Sequence, residues 1–149
     1  MGNEVELGSF SHFCGLFSPK GVPMMQLLVV DDQSGVRSLF QELFREVGLL
    51  VTTVGSQREA LTILKANCPH LLLLDYRLPD GDGISLLRQA RRLHPRLIAI
   101  LMTAFCDDEI PCADRLEPGV VAVLRKPFDI IEARKMVLEL LGSCLAREA

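Results

Sequence analysis

Asp75 closes the run Leu71-Leu72-Leu73-Leu74, and Asp31-Asp32 closes Leu27-Leu28-Val29-Val30. Runs of four aliphatic residues bounded by turn formers read as strands buried on both faces. Carboxylates at the C-terminal ends of such strands stand where open α/β sheets bind ligands. Brought together, these carboxylates would repel one another, and oxygen donors of this kind select a hard divalent cation such as Mg2+ or Mn2+. Two more strand ends add Thr103, after Leu97 to Met102, and Lys126, after Val120 to Leu124. A cation-bound carboxylate remains a nucleophile, and a neighbouring hydroxyl and ammonium can hold phosphoryl oxygens during in-line transfer. The set therefore predicts a carboxylate that accepts a phosphoryl group.

The elements that must position these groups alternate along the chain. Gln26 to Asp31 reads as the first strand. From Gln33 to Val47, Val36, Leu39, Phe40, Leu43, Phe44 and Val47 recur at helical spacing, with Gly48 as C-cap. Leu50 to Val54 is a second strand. Ser56-Gln57-Arg58-Glu59 has the form of a capping box opening a helix to about Asn67. Strand three runs from His70 to Asp75. Asp80 and Asp82 read as turn and N-cap residues of a third helix, Ile84 to His94, which Pro95 stops. Strand four follows, then a short helix over 108–117 and strand five. Asp129 and Glu132 open a last helix ending near Leu141, before Gly142. Strand-helix pairs with short connections predict a doubly wound parallel α/β sheet with right-handed crossovers.

Composition narrows the function classes. At 149 residues the chain supports one domain with terminal excess, and a net charge of −3 gives no general pull toward nucleic acid or an anionic membrane. The stretch Arg88, Arg91, Arg92, His94, Arg96 reads as a solvated helix face. No apolar run reaches membrane-span length. The five cysteines form no Cys-x-x-Cys pair, which predicts reduced thiols in a cytoplasmic protein, with Cys68, Cys106 and Cys112 as small apolar residues. Residues 1–24 lack period and read as a loosely ordered extension, with Met24 and Met25 as alternative starts. Glu4 and Glu6 oppose a signal peptide, and Glu6 opposes myristoylation at Gly2. The main unit is then 25–142, with 143–149 as a tail.

Taken together, Val-Val-Asp31-Asp32, Leu-Leu-Asp75-Tyr-Arg-Leu-Pro-Asp-Gly-Asp-Gly, Met102-Thr103-Ala104 and Lys126-Pro127-Phe128 resemble the receiver domain of two-component response regulators, the CheY-like family. The order and spacing of these motifs over Met25 to Leu141 carry the resemblance. It implies a flavodoxin-like (βα)5 fold with strand order 2-1-3-4-5. It implies Asp75 as phosphoacceptor and Mg2+ held by Asp32, Asp31, Asp75 and the backbone carbonyl of Arg77. Thr103 and Lys126 would bind phosphoryl oxygens, and the Lys126-Pro127 bond would be cis. The phosphodonor would be a histidine kinase or a histidine phosphotransfer protein, and the chain a monomer or a weak phosphorylation-dependent dimer. The runs Asp31 to Arg37, Met102 to Phe105 and Lys126 to Ile130 are closest to single-domain sporulation-phosphorelay-type and NtrC-type receivers. That likeness implies docking of a helical donor on Gln33, Gly35, Val36, Leu39, Pro127 and Phe128. Receivers often carry an aromatic residue or His three positions before the lysine; here it is Val123, which cannot make the same inward swing. Arg77 and Phe105 are possible tuners of acyl-phosphate lifetime.

Other readings give way on particular residues. An aspartyl phosphohydrolase of the haloacid dehalogenase type wants a second Asp two residues after the nucleophile, where this chain has Arg77. A dinucleotide-binding domain wants Gly-x-Gly-x-x-Gly after the first strand, which is absent. His12, His70 and His94 lie away from the acidic strand ends, so a donor histidine must come from another protein. The chain reads as a stand-alone receiver or as the excised receiver of a larger DNA-binding regulator.

Overall fold

A computed structural model describes residues 25–45, 47–104 and 117–148, with side chains in the last helix described to residue 143. The expected extension at 1–24, the short fourth helix save Glu117, Phe105, Cys14, Cys106, Cys112 and the side chain of Cys144 lie outside the described residues.

Strand β1 spans Gln26–Val30, β2 Leu50–Val54, β3 Leu71–Asp75, β6 Ala99–Ala104 and β7 Val120–Lys126. They form one parallel sheet in the order β2-β1-β3-β6-β7, the predicted 2-1-3-4-5 once a small ribbon is set aside. That ribbon, β4 (Arg77–Leu78) antiparallel to β5 (Gly81–Asp82), was not foreseen. The helices among the described residues are α1 (Ser34–Arg45), α2 (Gln57–Ala66), α3 (Gly83–Leu93) and α4 (Ile130–Glu148).

The aliphatic runs explain the layering. Successive strand side chains point to opposite faces. Leu28, Val30, Leu72, Leu74, Ala99 and Leu101 join one core with Ile63 and Leu64 of α2 and Leu86, Leu87 and Ala90 of α3. Leu27, Val29, Leu71, Leu73, Ile100 and Met102 join the other with Phe40 and Phe44 of α1 and Ala133, Val137 and Leu141 of α4. All four leucines of β3 are fully buried, two on each side.

Several local expectations need correction. Strands β6 and β7 end later than predicted, because Thr103 pairs with Arg125 and Ala104 with Lys126 across the ladder, and β6 starts at Ala99 instead of Leu97. Helix α4 does not stop at Leu141 but passes through Gly142 to Glu148, so the expected tail is largely helical. Gly142 is exposed and is not among the described glycines with positive φ; an interior helix glycine costs only about 1 kcal/mol relative to Ala. Helix α1 ends at Arg45, short of the expected Val47, and Gly48, at φ 75°, lies in the turn beyond it. The capping box forms on one side only. Ser56 Oγ accepts from Glu59 N at 3.2 Å, but Glu59 Oε1 accepts from Gly55 N at 2.8 Å instead of Ser56 N. Asp82 caps α3 as predicted, whereas Asp80 serves α2, accepting from Gln57 N at 2.8 Å and Arg58 N at 3.0 Å. Cys68 is exposed, not a small core residue, with Sγ donating to Pro69 O at 3.5 Å.

The basic stretch on α3 is likewise more than a solvated face. Arg88 donates to both carboxylate oxygens of Glu117 at 2.9 Å, Arg91 Nη1 to Leu97 O at 2.8 Å, and His94 Nε2 lies 2.7 Å from Leu64 O. The Arg88 guanidinium holds the Glu117 carboxyl below its usual range. These contacts tie α3 to α2 and to the segments leading into β6 and β7.

Glycines separate two kinds of position. A Cβ on Gly83 would lie 2.5 Å from the backbone oxygen of Asp75 and 3.1 Å from Leu74 Cγ, so α3 can start this close to β3 only without a side chain. Gly35, on α1, has nothing within 4 Å of its would-be Cβ. In urea denaturation Gly83→Ala should lose about 1–3 kcal/mol. Gly35→Ala should gain up to about 1 kcal/mol.

Candidate functional site

The parallel sheet brings its C-terminal strand ends to one edge. Asp31 follows β1 directly and is fully buried; Asp32, next in the chain, is exposed. Asp75 is the last residue of β3, opposite Met102, and is 8% exposed, so its carboxylate is largely desolvated yet reachable. Ligand atoms of Asp31, Asp32 and Asp75 all lie within 4.8 Å of one another, a span that one cation can bridge. Lys126, at the end of β7, closes the group. Its Nζ donates to Asp31 Oδ2 at 2.8 Å, to Asp75 Oδ2 at 3.3 Å and to Gln33 Oε1 at 3.4 Å.

The backbone fixes these groups as firmly as the side chains do. Asp31 Oδ1 accepts from Gln33 N at 2.9 Å, and Asp31 N donates to Val54 O at 3.1 Å. Asp75 Oδ1 accepts a long bond from Arg77 N at 3.4 Å, while Tyr76 N donates to Met102 O at 2.8 Å. The turn after Asp75 closes where Gly83 N meets Tyr76 O at 2.7 Å.

Burial, then the charge of Asp31, raises the Asp75 carboxyl above its ordinary value, and the Lys126 ammonium only partly offsets this. Burial alone would lower Lys126, but the hydrogen bond and charge of Asp31, followed by those of Asp75, leave it raised. One ammonium thus faces two buried carboxylates, with Asp32 at the rim. Thr103 is fully buried on β6, and its Oγ1 has no hydrogen-bond partner among the described residues. A buried hydroxyl left without a partner is costly unless an incoming group satisfies it. Oxygen-only donors, excess negative charge and an orphaned hydroxyl suit a hard cation together with an oxyanion.

The predicted site residues therefore converge. Asp31, Asp32, Asp75 and Lys126 form one pocket, and Thr103 lies on the strand beside Lys126. Arg77 is exposed at the pocket edge, its guanidinium 5.8 Å from the Tyr76 ring centroid. The Lys126-Pro127 peptide is cis. Of the six residues expected to dock a partner, Gln33 lies at the pocket and Pro127 and Phe128 follow Lys126 in the chain. Gln33 reaches Lys126, while Gly35 and Pro127 are exposed. Val36 and Phe128 are half-buried against the same core, and the Phe128 ring centroid lies 5.6 Å from that of Phe40. Leu39 is half-buried. The apolar patch is thus partly sunk into the core. Val123 is half-buried beside the opposite core, and its branched Cβ restricts χ1.

Sequence reasoning missed Arg37, whose Nη1 donates to the backbone oxygen of Asp31 at 2.7 Å. A bond from a side chain to a carbonyl six residues away leaves no motif. Among the described residues no helix is long and apolar enough to cross a membrane.

Comparison with known proteins agrees with the fold. The family described as response regulator receiver domain matches residues 27–138. The DNA-binding transcriptional regulator NtrC of Salmonella typhimurium is 38% identical over 109 residues, which cover 73% of this chain and 23% of the relative. This chain thus spans about a quarter of the length of its NtrC relatives. Sporulation initiation phosphotransferase F of Bacillus subtilis is 34% identical over 112 residues, covering 75% of this chain and 90% of the relative. A CheY-like response regulator receiver domain protein from Methanospirillum hungatei superposes with a TM-score of 0.73 at 23% identity, covering 83% of this chain and 98% of that one. The doubly wound sheet, the acidic strand ends and the family match over most of the chain lead to one conclusion: the chain belongs to the receiver domains of two-component response regulators.

Proposed function

We propose that Asp75 is the residue of this receiver that takes a phosphoryl group from a phosphohistidine, in a Mg2+-dependent reaction. The observation that carries this reading is the convergence of Asp31, Asp32 and Asp75 within 4.8 Å around the Lys126 ammonium. Receiver domains of this family bind Mg2+ at an acidic pocket, and Asp31, Asp32, Asp75 and the Arg77 carbonyl are the groups of this chain that would hold it. When bound, the cation offsets the carboxylate charge and that of the transferring phosphoryl oxygens.

The chain's own residues do the rest. A carboxylate oxygen of Asp75 forms the bond to phosphorus as the P–N bond to the donor imidazole breaks, and the leaving imidazole keeps the electron pair. Lys126 turns from its carboxylate partners toward a phosphoryl oxygen, and the Thr103 hydroxyl donates to another. Hydrolysis reverses the state, as water attacks phosphorus and Asp75 leaves as carboxylate. The donor is a histidine kinase or a histidine phosphotransfer protein, docking over Gln33, Gly35, Val36, Leu39, Pro127 and Phe128. We take residues 25–142 as the receiver unit, in a cytoplasmic monomer or weak phosphorylation-dependent dimer. The 90% coverage of the sporulation phosphotransferase supports a phosphorelay intermediate. The NtrC relatives support the alternative of a receiver serving a longer DNA-binding regulator.

Incubated with Mg2+ and acetyl phosphate, the wild type should gain one phosphoryl group by intact mass, and Asp75→Ala should gain none. An adduct on Asp75→Ala at the wild-type level would exclude the assignment. A second outcome follows from electrostatics. Because the folded protein raises the Asp75 carboxyl above its ordinary 3.8, the native state binds more protons than the unfolded chain between those two values. Wild-type stability therefore falls as pH rises through that window. In EDTA, Asp75→Asn should melt above the wild type at pH 7, with the gap shrinking on acidification toward 3.8. Mg2+ at 100 times its Kd should then stabilise the wild type by about 2.7 kcal/mol and the variant by much less.

A further inference from the structure

We infer that Asp80, outside the acidic pocket, is a positioning residue that sets the spacing between the two loops carrying the pocket's carboxylates. The inference rests on the reading of Asp31, Asp32 and Asp75 as one metal site.

Those carboxylates come from separate loops. Asp31 and Asp32 follow β1, whereas Asp75 opens the turn that carries Arg77 through the β4–β5 ribbon. One corner, Val54 to Arg58 between β2 and α2, touches both loops. Toward the first, Val54 O accepts from Asp31 N at 3.1 Å. Arg37 Nη1, bonded to Asp31 O at 2.7 Å, lies 3.0 Å from where a Cβ on Gly55 would stand. Toward the second, the Asp80 carboxylate accepts from Gln57 N at 2.8 Å through one oxygen and from Arg58 N at 3.0 Å through the other. Gln57 Nε2 donates to Asp82 O at 3.4 Å, and Gln57 Oε1 accepts from Gln89 Nε2 at 3.0 Å. A Cβ on Gly81, at φ 149°, would meet Gln57 Nε2 at 2.5 Å, so the ribbon tip is pressed against the corner.

Two features separate this latch from an ordinary helix cap. Helix α2 already has its own cap in Ser56, which serves Glu59 N. Asp80 takes the two earlier N–H groups from 23 and 22 residues further along the chain. A carboxylate gripping two successive amides fixes orientation as well as distance, and those two donors hold the Asp80 carboxyl below its ordinary range. The ribbon itself pairs only Arg77 with Asp82 and Leu78 with Gly81. Two-stranded ribbons are marginal in water, so Asp80, with the longer Gln57–Asp82 bond beside it, supplies an external tie that holds Arg77 and its carbonyl beside Asp75. Release of Asp80 frees the second loop from the corner that also braces the first.

The test reads Mg2+ binding directly. Tyr76 is the sole tyrosine, tryptophan is absent, and Tyr76 adjoins Asp75, so intrinsic fluorescence titrated with Mg2+ alone reports the site in the intact chain. Outer-shell substitutions cost roughly 10–100-fold in metal affinity, and Asp80 acts one step further out, so Asp80→Ala should weaken Mg2+ by about three- to tenfold. Ser56→Ala, which removes a cap of the same helix without touching the ribbon, should lower the melting temperature and leave the Mg2+ Kd unchanged. The affinity gap between wild type and Asp80→Ala should persist near 1 M salt, where the Debye length is about 3 Å. Should Asp80→Ala not fold, Asp80→Asn, which keeps one acceptor oxygen, is read by the same criteria. A wild-type Kd in the Asp80 variant overturns the latch, as does equal weakening by Ser56→Ala, or a gap that closes in salt. A wild type without any Mg2+ response overturns the metal reading itself, and the latch with it.

Discussion

Everything at the functional edge follows from two buried carboxylates sharing one ammonium. Asp31 is fully out of solvent and Asp75 nearly so, yet Lys126 is the cation that bonds to both. Desolvation and mutual repulsion raise the proton affinity of Asp75, and the same negative surplus raises that of Lys126. Such a group is poised: it gains by taking up positive charge or by handing the ammonium to a new anion. A phosphoryl group arriving with a divalent cation supplies both at once.

That poise requires a frame that does not yield. Burying like charges is tolerable only where packing denies them room to separate, and the two cores supply this. Leu27, Val29, Leu71 and Leu73 press on α1 and α4, while Leu28, Val30, Leu72 and Leu74 press on α2 and α3. Strands β1 and β3 are thus gripped from both faces along their length, and their ends cannot retreat. Gly83 lets α3 begin against the backbone of Asp75, and the Arg88–Glu117 pair fastens α3 to the approach of β7. The chemistry sits at strand ends and in the loop just after β1, on roots that packing holds rigid.

The surroundings of the pocket divide by face. Phe128 and Val36 lie with the α1 core beside the Lys126 side of the pocket, where Gln33 also reaches the ammonium. Val123 lies with the opposite core. A side chain packed there with a restricted χ1 has no large swing available. The groups bonded to Lys126 and the ring contact between Phe128 and Phe40 lie on the other face.

Much of this was written in the chain itself. Leucine and valine runs ending in Asp announce buried parallel strands with acidic C-terminal ends, because period and polarity are local properties. The alternation with amphipathic segments then leaves few topologies, and the strand order agrees with expectation. Residue type also determined the character of the pocket, since Asp31, Asp32, Asp75, Thr103 and Lys126 can do little else together. The tertiary structure decided what depends on partners far along the chain. Asp80, which reads locally as a turn residue for the helix after it, caps the helix before it. Arg37 grips a carbonyl, the arginines of α3 find Glu117 and Leu97, and β6 and β7 end later than expected because each completes the other's ladder. Caps within one turn leave a spacing in the sequence, as Ser56 and Asp82 do, but contacts between distant segments leave none. Only the folded chain brings donor and acceptor within reach.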